Sequence, residues 1–260
     1  KVFQYLLFCI TLLTFTSCVY NNLNRNHYLL SPDESLSLTL HGDQKNISYS
    51  LIKNGNTLIN QSKLGIVADQ FEFANDIQIE NITRSRNNTT WTQVWGEQKE
   101  IADHHNELAV QLTSNSNDIQ MIIRFRLFND GLGFRYEIPE HTELNEFKIL
   151  DELTEFNFAE DATSWWIPAY SYRRFEFLYA NTLISEISRD TYSKLVENLN
   201  GPRLGPEAVH TPFTVQRNDG TCIAIHEANL TNYSSMTLKA DGTTKMECDL
   251  IPWSDGTKVY

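Results

Sequence analysis

Apolar and polar residues alternate along most of this chain, in short runs separated by turns rich in Asn, Asp and Gly. The clearest unit covers residues 119–138, where two alternating runs flank Asn129-Asp130-Gly131 and Pro139 follows the second run. Side chains of a strand point alternately to opposite faces, so a period of two predicts strands that are buried on one side. Tight hairpin turns need residues that tolerate positive φ, as Asn, Asp and Gly do. The pattern therefore predicts antiparallel hairpins.

Similar turns occur at Asn54-Gly55, Asn218-Asp219-Gly220 and Asp241-Gly242, and only Thr191–Leu199 favours a helix. Short strands that recur every 8 to 12 residues or so are typical of β-sandwiches, and this chain has more of them than an immunoglobulin domain holds. We therefore expect an all-β fold, a large two-sheet antiparallel sandwich. No interior linker interrupts residues 29–260, which we interpret as one domain.

The N-terminus is predicted to be a targeting segment. A nearly unbroken apolar run follows Lys1 and reaches residue 16, which is shorter than the roughly 20 residues of a membrane-spanning helix. Such a run favours a secretory signal. Ser17 before Cys18 resembles a bacterial lipobox, which predicts a signal peptide over 1–17, lipidation of Cys18 and a tether over 18–28. The alternative is a plain signal with a chance cysteine, and both predict export, to the periplasm or the outer membrane.

The charge balance excludes one large class of partners. The chain has 21 Lys and Arg against 33 Asp and Glu, a net charge of −12. Nucleic acids and anionic membrane surfaces bind clustered basic residues, so the sequence predicts neither partner. Contact with a membrane is expected only through the signal or a lipid anchor.

Two cysteines, Cys222 and Cys248, remain after the N-terminal region. In an oxidising compartment they could form one disulfide, but their spacing fits no zinc or redox motif. Separate buried thiols are the other interpretation.

Four segments carry more aromatic and polar residues than a generic sandwich needs. They are Trp91-Thr-Gln-Val-Trp95-Gly-Glu97 within 91–108, Asn129-Asp130-Gly131-Leu-Gly133-Phe134-Arg135 within 126–136, Trp165-Trp166-Ile-Pro168 within 155–169, and His226-Glu227-Ala228-Asn229 within 226–233. In this order they resemble the N-terminal domain of glycoside hydrolase family 97, exported α-glucosidases and α-galactosidases found chiefly in Bacteroidetes. The resemblance runs from about Leu29 to Val259.

The resemblance implies a super-sandwich similar to galactose mutarotase, followed in the whole enzyme by a catalytic (β/α)8 barrel and a small C-terminal β domain. Glycoside hydrolysis needs two carboxyl groups that flank the bond. In the family both lie on the barrel, so the resemblance assigns no catalytic residue to this chain and implies that it is inactive alone. Residues 252–259 resemble the family's exit into the barrel, so we interpret the end of the chain as a domain boundary.

The resemblance also implies that Glu227 supplies one ligand to an active-site calcium ion. The residues add a weaker argument, because Ile223, Ile225 and Glu227 share one face of a predicted strand. A carboxylate that continues an apolar face must be paired, bound to a metal or at the rim. The alternative is a solvated glutamate at a strand end. Calcium takes 6 to 8 oxygen ligands or so, so we expect weak calcium binding by this chain alone.

Trp165 and Trp166 are candidate carbohydrate-binding residues, because aromatic faces stack on sugar rings; core or interface packing is the alternative. A second cluster, His104-His105 with its acidic neighbours, could suggest a metal site. Adjacent strand residues point to opposite faces, so the two histidines are not expected to converge.

The charged side chains outside these motifs are interpreted as structural. Charge pairs beside the core are expected for Glu97, Lys99 and Glu100 with Arg124, Arg126 and Arg135. The acidic run 151–155 is interpreted as a solvated face.

Three functions remain open at this stage. The first is the non-catalytic N-terminal domain of an exported α-glycosidase, which supports the barrel and completes its calcium site. The second is a stand-alone enzyme similar to aldose-1-epimerase, which would need a His acid and a Glu base on opposite sides of a sugar. The third is a stand-alone carbohydrate-binding surface lipoprotein.

Overall fold

The computed structural model describes residues 26–42, 46–115, 118–142, 144, 146–169, 177–195, 207–231 and 233–251. The predicted signal peptide, the lipidation site Cys18 and the closing segment 252–259 lie outside the described residues. The first described strand begins at His27, two residues before the predicted start of the domain at 29.

Strands make up most of the described residues. In chain order they are β1 (His27–Leu30), β2 (Leu36–Gly42), β3 (Ile47–Lys53), β4 (Asn56–Leu64), β5 (Ile66–Ala68), β6 (Ile77–Thr92), β7 (Glu100–Ser114), β8 (Gln120–Leu127), β9 (Leu132–Glu137), β10 (Ile149–Glu152), β11 (Glu155–Asn157), β12 (Thr163–Trp166), β13 (Ala180–Leu183), β14 (Ala208–His210), β15 (Phe213–Gln216), β16 (Cys222–Ile225), β17 (Met236–Ala240) and β18 (Lys245–Leu250). A 3₁₀ turn (Ile184–Glu186) and one helix, α1 (Arg189–Leu195), complete the described elements.

Every strand pair among the described residues is antiparallel, which confirms the predicted all-β class. The strands form sheets in the orders β1-β2-β3-β4, β6-β7-β8-β9, β11-β18-β17-β14, β13-β12-β15-β16 and the pair β10-β5. The inward side chains of these sheets form one continuous apolar core. Such layers of packed antiparallel sheets are a β-sandwich.

The predicted hairpins form where the local sequence demands them. Asn54 and Gly55 both have positive φ, 48° and 82°, between β3 and β4. This is the backbone of a tight hairpin turn that follows the twist of the flanking strands. The turn after β8 closes with a 2.8 Å hydrogen bond from Phe128 N to Gly131 O, as the sequence predicts.

The hairpin of β6 and β7 is longer than the sheet that carries it. The register of β8 on β7 ends at the pair Asn106↔Leu127, whereas β6 and β7 stay paired out to Thr92↔Glu100. The β6–β7 ribbon, defined as residues 87–105, therefore extends beyond β8. Six residues of each strand at about 3.3 Å per residue give a reach of about 20 Å.

The helix begins two residues before the predicted Thr191–Leu199, at Arg189. Ser188 caps it, because its Oγ accepts a 3.0 Å hydrogen bond from the Thr191 N–H. Tyr192 buries its ring against Trp166, with ring centroids 5.5 Å apart. Among the described residues, no helix combines the length and the apolar character needed to cross a membrane.

Candidate functional site

Glu227 lies two residues beyond the end of β16, in the segment that leads to β17. The predicted alternation is confirmed: Ile223, Ile225 and Glu227 are half-buried, and the residues between them are exposed. Glu227 Oε1 accepts a 2.7 Å hydrogen bond from the Met236 N–H, and Oε2 accepts one from the Thr211 hydroxyl. The carboxylate thus joins the two ends of the 227–236 segment and is held in one position.

The histidines near Glu227 do not form an acid–base pair with it. Nδ1 of His226 lies 2.9 Å from the backbone oxygen of Glu227, and its ring is exposed. Burial lowers the pKa of His210, although the negative charge of Glu227 partly offsets this effect. His210 is therefore favoured as a neutral imidazole near physiological pH. These contacts do not place a histidine opposite Glu227 across a substrate, as epimerase chemistry requires.

The residues described here supply part of a calcium site at most. Within the described ranges no three His, Cys, Asp or Glu side chains come together as a metal-binding group. A carboxylate has about four lone-pair positions, so Glu227 keeps about two after its hydrogen bonds. Oxygen is the donor that calcium prefers, but a complete shell needs further ligands from elsewhere.

The two tryptophans of the third motif have different environments. Trp166 is only 2% exposed, and its Nε1 donates a 3.0 Å hydrogen bond to Thr182 Oγ1. A ring buried in this way has no face for a sugar, so the structure favours core packing for Trp166. Trp165, on the other face of β12, is half-buried, and its carbohydrate contact stays a prediction.

Glu152 in the acidic run is half-buried and burial acts strongly on its carboxyl group, so the interpretation of a solvated face is wrong for Glu152. Its Oε2 accepts a hydrogen bond from the Tyr233 hydroxyl at 2.5 Å, and its Oε1 accepts one from Thr154 Oγ1 at 2.7 Å. The Tyr136 hydroxyl lies 2.8 Å from Thr154 Oγ1 and accepts a 3.1 Å hydrogen bond from Gly65 N. This chain of polar groups, the Glu152 network, joins the junction between β4 and β5, strand β9 and the end of β10 to the segment before β17.

Burial dominates the electrostatics of the Glu152 network. It raises the pKa of Glu152, against the opposing effect of the hydrogen bonds from Tyr233 and Thr154. Burial and the nearby Glu152 charge also raise the pKa values of Tyr233 and of the Cys248 thiol. Cys248 is a free buried thiol, and Cys222 is a free exposed thiol. The interpretation of two separate thiols is therefore confirmed, but only Cys248 is buried.

The predicted charge pairs exist, with different partners. Arg124 donates to both oxygens of Glu137, at 2.7 and 2.9 Å, and to Glu107 at 2.6 Å. Arg126 contacts Glu107 at 2.9 Å, and Arg135 contacts Glu137 at 2.6 Å. The prediction that Glu97 and Glu100 are the partners is wrong, because strand register places Glu107 and Glu137 beside these arginines.

The two neighbouring histidines point to opposite faces of β7, as predicted. His105 is buried, with Nδ1 2.7 Å from Asp103 Oδ1 and its ring 5.0 Å from that of Phe128. His104 is exposed. The pair is thus a packed histidine and a solvated one, which does not favour a metal site.

A model of one protein family matches almost the whole domain. The model is described as the glycosyl-hydrolase 97 N-terminal domain, and it matches residues 29–259. This chain belongs to glycoside hydrolase family 97.

The relatives that this chain matches are much longer than the chain itself. The retaining α-galactosidase of Bacteroides thetaiotaomicron is 22% identical over 234 residues, which are 88% of this chain and 33% of that protein. Structures of a family 97 enzyme from Pseudoalteromonas sp. strain K8, bound to panose or to acarbose, superpose with a TM-score of 0.77 at 34% identity. Each superposition covers 90% of this chain and 33% of the Pseudoalteromonas chain.

A β-arabinopyranosidase shares the fold, with a TM-score of 0.74 at 18% identity, over 86% of this chain and 35% of that one. The family 97 domain described here therefore spans about a third of the length of the relatives it matches. It matches their N-terminal domain, which accounts for the sandwich.

The family 97 domain also has a polar groove of about 530 Å³ on the β1–β4 sheet. It is lined by Asn26, His41, Gly42, Asn46, Ser48, Gln61, Lys63 and Glu155. Several of these groups bond to each other or to neighbours, as Gln61 Nε2 does to Ser48 Oγ at 2.9 Å. Its lining includes no Trp, Tyr or Phe ring on which a sugar could stack.

Proposed function

We propose that this domain is the non-catalytic N-terminal part of an exported α-glycosidase that acts on α-linked oligosaccharides. One observation carries the proposal: the domain matches about a third of a retaining α-galactosidase and of an enzyme bound to panose or acarbose. In this proposal a catalytic (β/α)8 barrel follows the domain and supplies both catalytic carboxyl groups. The sandwich supports that barrel, and export proceeds through the N-terminal signal, with Cys18 as the lipid-modified residue.

Glu227 is proposed as the contribution of the domain to an active-site calcium ion. Support comes from its position beyond a strand end and from the two hydrogen bonds that hold its carboxylate. Because the side chain is already oriented, little conformational entropy is lost when it binds an ion. A bound calcium ion would stabilise negative charge that develops during glycoside cleavage. The other ligands would come from the barrel.

Trp165 is proposed as a carbohydrate contact of the same enzyme. Its half-buried ring, on the face of β12 opposite the buried Trp166, leaves one surface for a ligand or a neighbouring domain. If Trp165→Phe, which keeps an aromatic face, preserves panose binding while Trp165→Ala weakens it, the contact is supported.

A pair of matched variants tests the calcium role in the complete polypeptide. Glu227→Gln removes the negative charge but keeps polar groups that can accept a hydrogen bond from the Met236 N–H and bond to the Thr211 hydroxyl. Glu227→Ala removes the charge and these hydrogen bonds. Glycosidase activity on panose and on an α-galactoside is measured against free calcium. A calcium ligand predicts that both variants require more calcium than the wild type. If Glu227→Gln keeps the wild-type calcium dependence, Glu227 serves only to hold the segment.

A further inference from the structure

The tip of the β6–β7 ribbon carries exposed apolar side chains. Trp91, Val94 and Trp95 are 51%, 97% and 88% exposed. Single exposed apolar residues are ordinary, but several together are typical of an interaction site. We define these three residues as the ribbon tip.

Among the residues that the structure describes, no third strand pairs with the outer part of the two strands that hold the ribbon tip. Pairing with β8 ends at Asn106, so the last six residue pairs of β6 and β7 stand as a two-stranded ribbon. Isolated two-stranded hairpins are marginally stable in water. A ribbon of this length with an apolar end gains stability if that end packs against another surface.

Polar groups of Thr92 and Gln93, next to the tip, are bonded within the hairpin. The side-chain amide of Gln93 donates to the backbone oxygen of Gln98, and the Thr92 hydroxyl donates to Glu100 Oε1 at 2.8 Å. The Gln93 N–H donates to Lys99 O at 3.0 Å. Sugar sites combine ring faces with polar groups that point at the ligand. Here these neighbouring polar groups are already bonded within the hairpin, and the aliphatic Val94 lies exposed beside the two tryptophan rings, which favours a protein surface over a sugar.

The size of the tip favours a partner within the same polypeptide over a second molecule. A buried tryptophan contributes about 150–250 Å² of surface, so three side chains fall short of the roughly 800 Å² per partner of a stable interface between separate molecules. A tethered partner needs less contact, because its effective concentration is already high. The matched relatives extend over about three times the length of this domain, so such a partner exists in them.

We propose that the ribbon tip docks into an apolar recess of the catalytic region that accompanies this domain in the same polypeptide. The inference rests on the proposed function only in assuming that this region is present. Docking buries Trp95 and Val94 and fixes the orientation of the sandwich relative to the barrel.

The test is hydroxyl-radical footprinting of the complete polypeptide, in which mass spectrometry gives the oxidation rate of Trp95. Val94→Asp places a charge in the docked interface, where burial would be costly, yet it leaves the domain's own packing intact because Val94 is 97% exposed. Leu195→Asp, at an exposed position of α1, is the matched control. If the tip is docked about 90% of the time, Trp95 should oxidise about tenfold more slowly in the wild type than in Val94→Asp. Leu195→Asp should keep the slow rate.

Equal, rapid oxidation of Trp95 in the wild type and in Val94→Asp would overturn the inference. So would protection that appears only with panose, which would indicate a sugar site, or protection that disappears as a dimer dissociates, which would indicate a second copy. Glycosidase activity is followed in the same samples. If the complete polypeptide is active but Trp95 oxidises rapidly, the proposed function stands and the docking is rejected. If Trp95 is protected but the polypeptide is inactive, the docking stands and the proposed function is rejected.

Discussion

The hydroxyl of Tyr233 donates a 2.5 Å hydrogen bond to Glu152, 81 positions earlier in the chain. This bond ties the segment before β17 to the end of β10. Glu227 bonds to Met236, the first residue of β17, and to Thr211, so the 227–236 region is also attached to the sandwich at its ends. The Glu152 network therefore helps to hold the proposed calcium ligand in place.

Tyr233→Phe tests the energetic weight of this bond. The substitution removes one donor from a buried carboxyl group and should lower the free energy of unfolding by about 1–3 kcal/mol. Urea denaturation of the variant measures the loss. The control is Tyr28→Phe at an exposed position, which should be nearly neutral. Equal effects of the two substitutions would show that the Glu152 network contributes nothing specific.

Glu152 also predicts a dependence of stability on pH. Burial raises the pKa of Glu152 in the folded state above its ordinary value of 4.5. Between these two pKa values the folded state binds more protons than the unfolded state, so this group's contribution to stability falls as the pH rises. In that window the unfolding free energy of the wild type minus that of Glu152→Gln should fall with pH, by at most about 1.4 kcal/mol per pH unit. A flat difference between pH 4 and 8 or so would contradict the raised pKa.

The contribution of Arg124 to stability should change with pH in the opposite direction to that of Glu152. Its hydrogen bonds lower the pKa of Glu137, so the pairing stabilises the folded state above the ordinary pKa of 4.5 and is lost on acidification. Arg124→Met should lower the unfolding free energy by about 1–3 kcal/mol at neutral pH, since Glu107 and Glu137, both partly buried, lose their shared partner and keep only Arg126 and Arg135. The loss should shrink below pH 4 or so. Arg135→Met, at a mostly exposed arginine, should cost less than about 1 kcal/mol and serves as the control.

Substitutions of Trp166 and Trp165 should differ in how much they lower the stability of the fold. Trp166→Ala empties a core position and removes the donor to Thr182, so a loss of about 3–5 kcal/mol is expected. Trp165→Ala should cost less, because that ring is only half-buried. Thermal and urea unfolding of both variants measure the difference. A Trp166 variant as stable as the wild type would contradict its place in the core.

Local sequence was enough to predict the turns and the strand class. Asn54 and Gly55 specify a tight hairpin by themselves, because both adopt positive φ readily. The length of the β6–β7 ribbon was not predictable in this way. Residues 83–90 are all polar and carry no period of two, and their pairing is set by β7 rather than by a core beneath them.

The enclosed position of the Glu152 carboxyl group could not be predicted from its neighbours. Acidic residues in a run usually indicate a solvated face, and the groups that bury and satisfy this one, Tyr233 and Cys248, lie far away in sequence. The half-buried environment of Glu227 was easier to predict from the sequence, because the alternation of β16 continues through this residue. Its bond to Met236 depends on how β17 returns, which no local pattern reveals.

The central claim is that this domain is the non-catalytic part of an α-glycosidase, and one comparison of hydrolysis tests it. The complete polypeptide and the 260-residue chain, its folding checked by circular dichroism, are incubated with panose and with an α-galactoside, and the released monosaccharide is quantified. The account predicts hydrolysis of at least one substrate by the complete polypeptide and none by the 260-residue chain. Hydrolysis by the 260-residue chain alone, or none by the complete polypeptide, would contradict it.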